Sequence, residues 1–206
     1  PGSRMRSTVK LTKRPIDRSS TTPTTKRILL ESLPVLIGAG ALSLVAGVVL
    51  ERSIGRFVSF TVLLILLPGY LSTAGALGGI LSSRLATKVH LGLIQAAPVP
   101  RGGARDDIRI TFTLALPIFV LLAVLAGTIG ATGGRTSPGL LVLVVVAVSG
   151  GLVATAFVAA IAYYGTLLVV RFGLDPDNHG IPLVSASLDV IGALTLVGAL
   201  LLWGVA

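Results

Sequence analysis

The sequence holds eight acidic residues: Asp17, Glu31, Glu51, Asp106, Asp107, Asp175, Asp177 and Asp189. Most stand in polar stretches or at the edges of apolar runs, where a charge needs no explanation. Asp189 stands inside the last apolar run, a little over two helical turns beyond Ile181. At about 1.5 Å per residue, that is roughly 10 Å into a helix. An ionised carboxylate facing lipid at such depth costs several kcal/mol, so Asp189 is expected to face protein or water. Two roles fit it: a station on an ion or proton path, or a hydrogen-bonding cap on a neighbouring helix. Ser185 precedes it by one turn and shares its face.

The stretch leading into that run, Gly173-Leu174-Asp175-Pro176-Asp177-Asn178-His179-Gly180-Ile181-Pro182, gathers turn formers and oxygen ligands. Asp175, Asp177 and Asn178 could draw a divalent cation to the mouth of the helix. The same residues equally make a turn and a helix cap. Cysteine is absent, which removes disulfides and thiolate metal sites. His90 and His179 are isolated and lack zinc-ligand spacing. Hard oxygen ligands suit Mg²⁺ or Ca²⁺. Mg²⁺ keeps several waters and binds through one or two carboxylates. One intramembrane Asp per chain, doubled by a two-fold axis, therefore suits a hydrated Mg²⁺ better than a dry Ca²⁺ cage.

Enzyme chemistry finds no support in this inventory. An intramembrane aspartyl protease needs two facing carboxylates at depth, and only Asp189 lies deep. A serine type needs a deep Ser–His pair, and both histidines fall in connections. No phosphate-cradling glycine loop is present, and nothing points to nucleic acid.

The elements that must position Asp189 follow from composition. Apolar residues make up 53% of the 206, and charged residues only 12%. That charge is about half the share usual for a soluble domain, and lipid is the natural solvent for such a chain. Apolar runs lie at roughly 29–50, 57–83, 109–130, 139–171 and 181–205. Each is long enough to cross a bilayer as a helix, which takes about 20 residues. The runs are continuous rather than alternating, which excludes a β-barrel. The expected fold is an all-α integral membrane protein of five transmembrane helices, with residues 1–28 a basic disordered tail and 29–206 the membrane domain.

The tail, the 84–109 connection and the 171–180 connection carry eight, five and one basic residues, or 14 of the 17. Placing them on one side predicts a cytoplasmic N-terminus in a plasma-membrane protein. The tail's charge either sets this topology or also holds anionic headgroups. Pro1-Gly2-Ser3 reads as the remnant of a cleaved tag, Met5 as the expected native start, and no signal peptide is visible.

Two runs are irregular. The second contains Pro68-Gly69, Gly75, Gly78 and Gly79. It is either a broken helix offering free carbonyls to a cavity or a continuous helix with a small-residue packing face, Gly75-xxx-Gly79. The fourth is longer than a bilayer requires and carries Gly150-Gly151, so tilting, kinking or projection is expected. An odd number of spans prevents the two halves from being inverted copies. A transporter of this kind would use two chains about a two-fold axis.

Gly173-Leu174-Asp175-Pro176-Asp177-Asn178, followed by Pro182, Ser185, Ser187 and Asp189, resembles the G-L-D-P-(D-N)…P…T/S-x-x-D signature of MgtE-type magnesium transporters. The closer likeness is to the solute-carrier magnesium exchangers and their half-size relatives. Leu67-Pro68-Gly69, Gly75 and Ser83-Arg84-Leu85-Ala86-Thr87 resemble the second span of that branch, and Glu31-Ser32-Leu33-Pro34 and Gly47 to Glu51 its first. The resemblance covers residues 30–206. It implies a five-helix unit paired with a second to form a dimeric pore domain, Mg²⁺ as the transported ion, and Asp189 as the pore carboxylate. Ala76 stands where the family often has Asn, and the cytoplasmic sensor domains of longer members have no counterpart in this sequence. A homodimer is expected, with a sister chain that supplies the Asn as the other arrangement. A Na⁺- or H⁺-coupled Mg²⁺ exchanger and a half-pore partner subunit are the alternative functions.

Overall fold

The computed structural model describes residues 21–94, 97–171 and 181–205, and these residues contain helices and no strand. The helices are α1 (Thr21–Glu51), α2 (Ile54–Ser59), α3 (Val62–His90), α4 (Gly103–Thr132), α5 (Leu140–Arg171) and α6 (Ile181–Leu202). All but the short α2 contain a stretch long and apolar enough to cross a membrane, which within α1 is Ser32–Glu51. A helix closes its own backbone hydrogen bonds, and so can pass through hydrocarbon that offers none. The chain is a multi-pass, all-helical membrane protein.

Four of the long helices form the body. The central pair, α3 and α5, pack on each other, and each also packs on α4 and on α6. The core between them holds Leu63, Leu66, Tyr70, Phe119, Leu143, Leu188 and Leu196, all essentially without exposure. The Tyr70 and Phe119 rings lie 5.1 Å apart at its middle. The outlying α1 packs principally on α6 and leaves nearly all of its apolar surface uncovered.

Close approach depends on glycine at two levels. Gly75 and Gly78 of α3 face α6, where a methyl group at Gly78 would collide with Leu188. Gly150 and Gly151 of α5 face opposite neighbours. Gly150 meets Tyr70, Thr195 and Ala199, and Gly151 lies under the Phe119 ring. At Gly75 and Gly78, therefore, α3 presents small residues to α6. Despite Pro68, α3 is a single helix, and α5 runs unbroken through its glycine pair.

The second apolar run divides at Phe60 and Thr61. Ile54–Ser59 forms the separate short α2, which buries Phe57, and α3 then continues past the run to His90. The first N–H groups of a helix lack partners within it. Here the backbone N–H of Thr61 donates to Thr136 Oγ1 at 3.0 Å, and that of Val62 to the Thr136 carbonyl at 3.2 Å. The α4–α5 connection thus caps α3. At the other end, the Tyr163 and Tyr164 hydroxyls of α5 donate to the carbonyls of Ala97 and Pro98, at 2.9 and 3.0 Å. They pin the α3–α4 connection against the bundle.

Candidate ion-transport site

Asp189 lies on α6 between two helix–helix contacts that fix its depth. Below it, Val184 meets Gly165 of α5; above it, Thr195 and Ala199 meet Gly150. Those contacts bracket the middle of α5, so the carboxylate stands near the centre of the bundle's height. It is only half-buried. Its Oδ2 accepts a hydrogen bond of 2.8 Å from the hydroxyl of Ser43. Ser43 is exposed and lies near the middle of the apolar part of α1. A carboxylate therefore sits at mid-span, on the flank of the body where α1 meets α6, with the Ser43 hydroxyl as its partner among the described residues.

Ser185, one turn below, is also half-buried but turns toward α3. Its Oγ lies where a methyl group on Gly75 would come within 3.2 Å. The glycine leaves room for the hydroxyl between the two helices. Asp189 and Ser185 follow one another along α6 while touching α1 and α3 respectively. Asp175, Asp177 and Asn178, the proposed mouth of the path, lie outside the described residues. Among the described residues, no three His, Cys, Asp or Glu side chains gather into a group that could hold a metal ion.

Ala76, the position at which a polar side chain was expected from the resemblance, is exposed on the surface of α3. Exposed Ser72 stands one turn before it.

A second acid proves to be more enclosed than Asp189. Asp107, near the start of α4, has a side chain only 3% exposed. Lys88 of α3 donates to its Oδ2 at 2.6 Å and to the Gly103 carbonyl at 3.1 Å. Arg84, one turn earlier on α3, stands 3.9 Å from Oδ1. Asp107 falls in a connection by hydropathy alone, which gave no reason to single it out. The available signal was the spacing: two cations one turn apart at the end of α3, opposite an acid in the opening turns of α4. This cluster is fully paired and clamps α3 to α4.

The polar pairs inside the body are likewise satisfied. Ser82 and Thr166 share a buried hydrogen bond of 3.2 Å between α3 and α5, and Tyr70 and Thr195 one of 3.1 Å between α3 and α6. Of the carboxylates whose surroundings are described, Asp189 alone combines mid-span depth with an open side.

The family model described as MgtE, divalent cation transporter, matches residues 67–199. This stretch runs from the first turns of α3 into the last turns of α6 and contains Asp189, Ser185 and the glycine contacts. No curated protein and no solved structure matches the chain.

Proposed function

Since the chain belongs to the MgtE family of divalent cation transporters, we propose that it carries hydrated Mg²⁺ through a pore built by two copies, with Asp189 of each as the central carboxylate. The observation that carries this reading is the half-buried Asp189 at mid-span, its Oδ2 held by the Ser43 hydroxyl and part of its surface left open. A charge so placed against lipid would cost several kcal/mol. A second copy related by a two-fold axis would cover that flank and turn it into a water-lined path. Two carboxylates on the axis would then attract a divalent cation while leaving its inner waters in place, which is how Mg²⁺ is ordinarily held.

In this arrangement Asp175, Asp177 and Asn178 concentrate cations at the cytoplasmic mouth of the path, while Ser185, one turn below Asp189, stands on the side of α6 toward α3. The N-terminus faces the cytoplasm of a cell whose plasma membrane holds the dimer, as the distribution of Lys and Arg favours. The exposed Ala76 favours a second arrangement, in which a sister chain with a polar residue at the matching place completes the pore.

The test is Mg²⁺ uptake into liposomes holding the purified chain, with and without imposed Na⁺ and H⁺ gradients. A passive path predicts uptake that follows the Mg²⁺ gradient and membrane potential alone. Uptake that requires a Na⁺ or H⁺ gradient would replace the channel by a coupled exchanger. Asp189→Ala should abolish uptake and leave the assembly intact, and persisting flux in that variant would sink the assignment of Asp189.

A further inference from the structure

From Pro34 to Leu50, the apolar part of α1 contains one side chain with a polar atom, Ser43. Serine and threonine hydroxyls in membrane helices ordinarily donate to a carbonyl one turn back in their own helix. Others in this chain do so, among them Thr87 to Ser83, Thr111 to Asp107, Thr113 to Arg109, Ser149 to Val145 and Thr155 to Gly151, whereas Ser82 and Thr166 bond each other across α3 and α5. The Ser43 hydroxyl instead crosses to α6 and donates its single hydrogen to Asp189. Ser43 also lies outside residues 67–199, the stretch matched by the family model.

We propose that Ser43 is a positioning residue for the transported ion. By holding Oδ2 of Asp189 at 2.8 Å, it fixes the carboxylate's rotamer and leaves Oδ1 to meet the ion's hydration shell. Mg²⁺ tolerates little departure from octahedral geometry, so a carboxylate free to rotate holds its hydrated form less well. Groups that orient a metal's ligands from behind typically change affinity about 10- to 100-fold when removed. The outlying α1 thereby becomes part of the transport site rather than only an anchor. This inference rests on the reading of Asp189 as the ion-holding carboxylate.

The experiment measures the rate of Mg²⁺ uptake into liposomes against external Mg²⁺ for the native chain, Ser43→Ala, Ser43→Cys, Ser43→Thr and Asp189→Asn. Ser43→Ala is expected to raise the half-saturating Mg²⁺ concentration about tenfold while keeping the maximal rate. Ser43→Cys, a weaker donor of similar size, should fall between Ala and native. Ser43→Thr keeps the hydroxyl at an exposed position and should restore the native value. Half-saturation unchanged in both Ala and Cys, with Asp189→Asn silent, would overturn the role of Ser43 alone. A loss that is equal in Ala, Cys and Thr would assign Ser43 to packing and overturn it as well. Should Ser43→Ala fail to fold, the Cys–Thr comparison decides by the same criterion. Flux that survives in Asp189→Asn would instead overturn the reading of Asp189 beneath it.

Discussion

Two acids of this chain, one enclosed and one partly open, are treated in opposite ways. Asp107 is buried with Lys88 and Arg84 around it and the Gly103 carbonyl alongside. Replacing such a pair by apolar groups is often harmless, but removing one member leaves a charge stranded. Lys88→Ala leaves the buried Asp107 carboxylate with only Arg84 at 3.9 Å and should destabilise the bundle by about 3 kcal/mol, read as a lower midpoint of thermal unfolding in detergent. Asp107→Ala should cost less, because the Lys88 and Arg84 side chains it leaves behind are 30% and 48% exposed and reach water. An unchanged midpoint in Lys88→Ala would show that the cluster does not clamp α3 to α4. Asp189 is half-buried and, among the described residues, bonded to the Ser43 hydroxyl. The Ser43 hydroxyl orients this carboxylate from one side, as the proposed role in ion passage requires.

At the scale of elements, glycine decides how closely the central helices approach. Gly78 of α3 lies directly against Leu188, the residue before Asp189. Gly78→Val would push α6 off α3 at the level of the site, and overpacking of this kind costs about 1–3 kcal/mol. The expected outcome is a lower unfolding midpoint together with reduced flux, whereas Gly198→Val, at an α6 glycine with open space around it, should leave the midpoint unchanged. Equal midpoints for the two variants would contradict the packing described for α3 and α6. The existence of five membrane helices was legible from hydropathy, because continuous apolar runs dominate the sequence. The break at Phe60–Thr61 was not, since the apolar run carries on through Phe60 and Thr61 into α3, and the separation of α2 depends on Thr136 capping α3 from a distant loop. Asp189 was legible because one acid interrupts an apolar run. Its partner Ser43 was not, because a lone serine in a membrane helix carries no sign of whether it bonds its own backbone or crosses to a neighbour. The enclosure of Asp107 likewise depends on where α3 ends, and the spacing of Arg84, Lys88 and Asp107 signals it only once those helix ends are known.

For the whole molecule, the matched family and the geometry meet in one picture. A four-helix body carries α1 on its outer flank, and the mid-span carboxylate lies at the junction between them. The orientation of this body can be tested directly, because the sequence has no cysteine. A single His90→Cys should react with a membrane-impermeant maleimide only from the cytoplasmic side, and Ser137→Cys only from outside. The reverse pattern would invert the topology. The pore account itself is tested most directly by Mg²⁺ uptake into liposomes that contain only this chain, native against Asp189→Asn. Asparagine keeps the shape of the side chain and removes its charge, so assembly should survive. The account predicts uptake by the native chain and none by the variant. Equal uptake by both would contradict it, because the ion would then be crossing without the carboxylate on which the site is built.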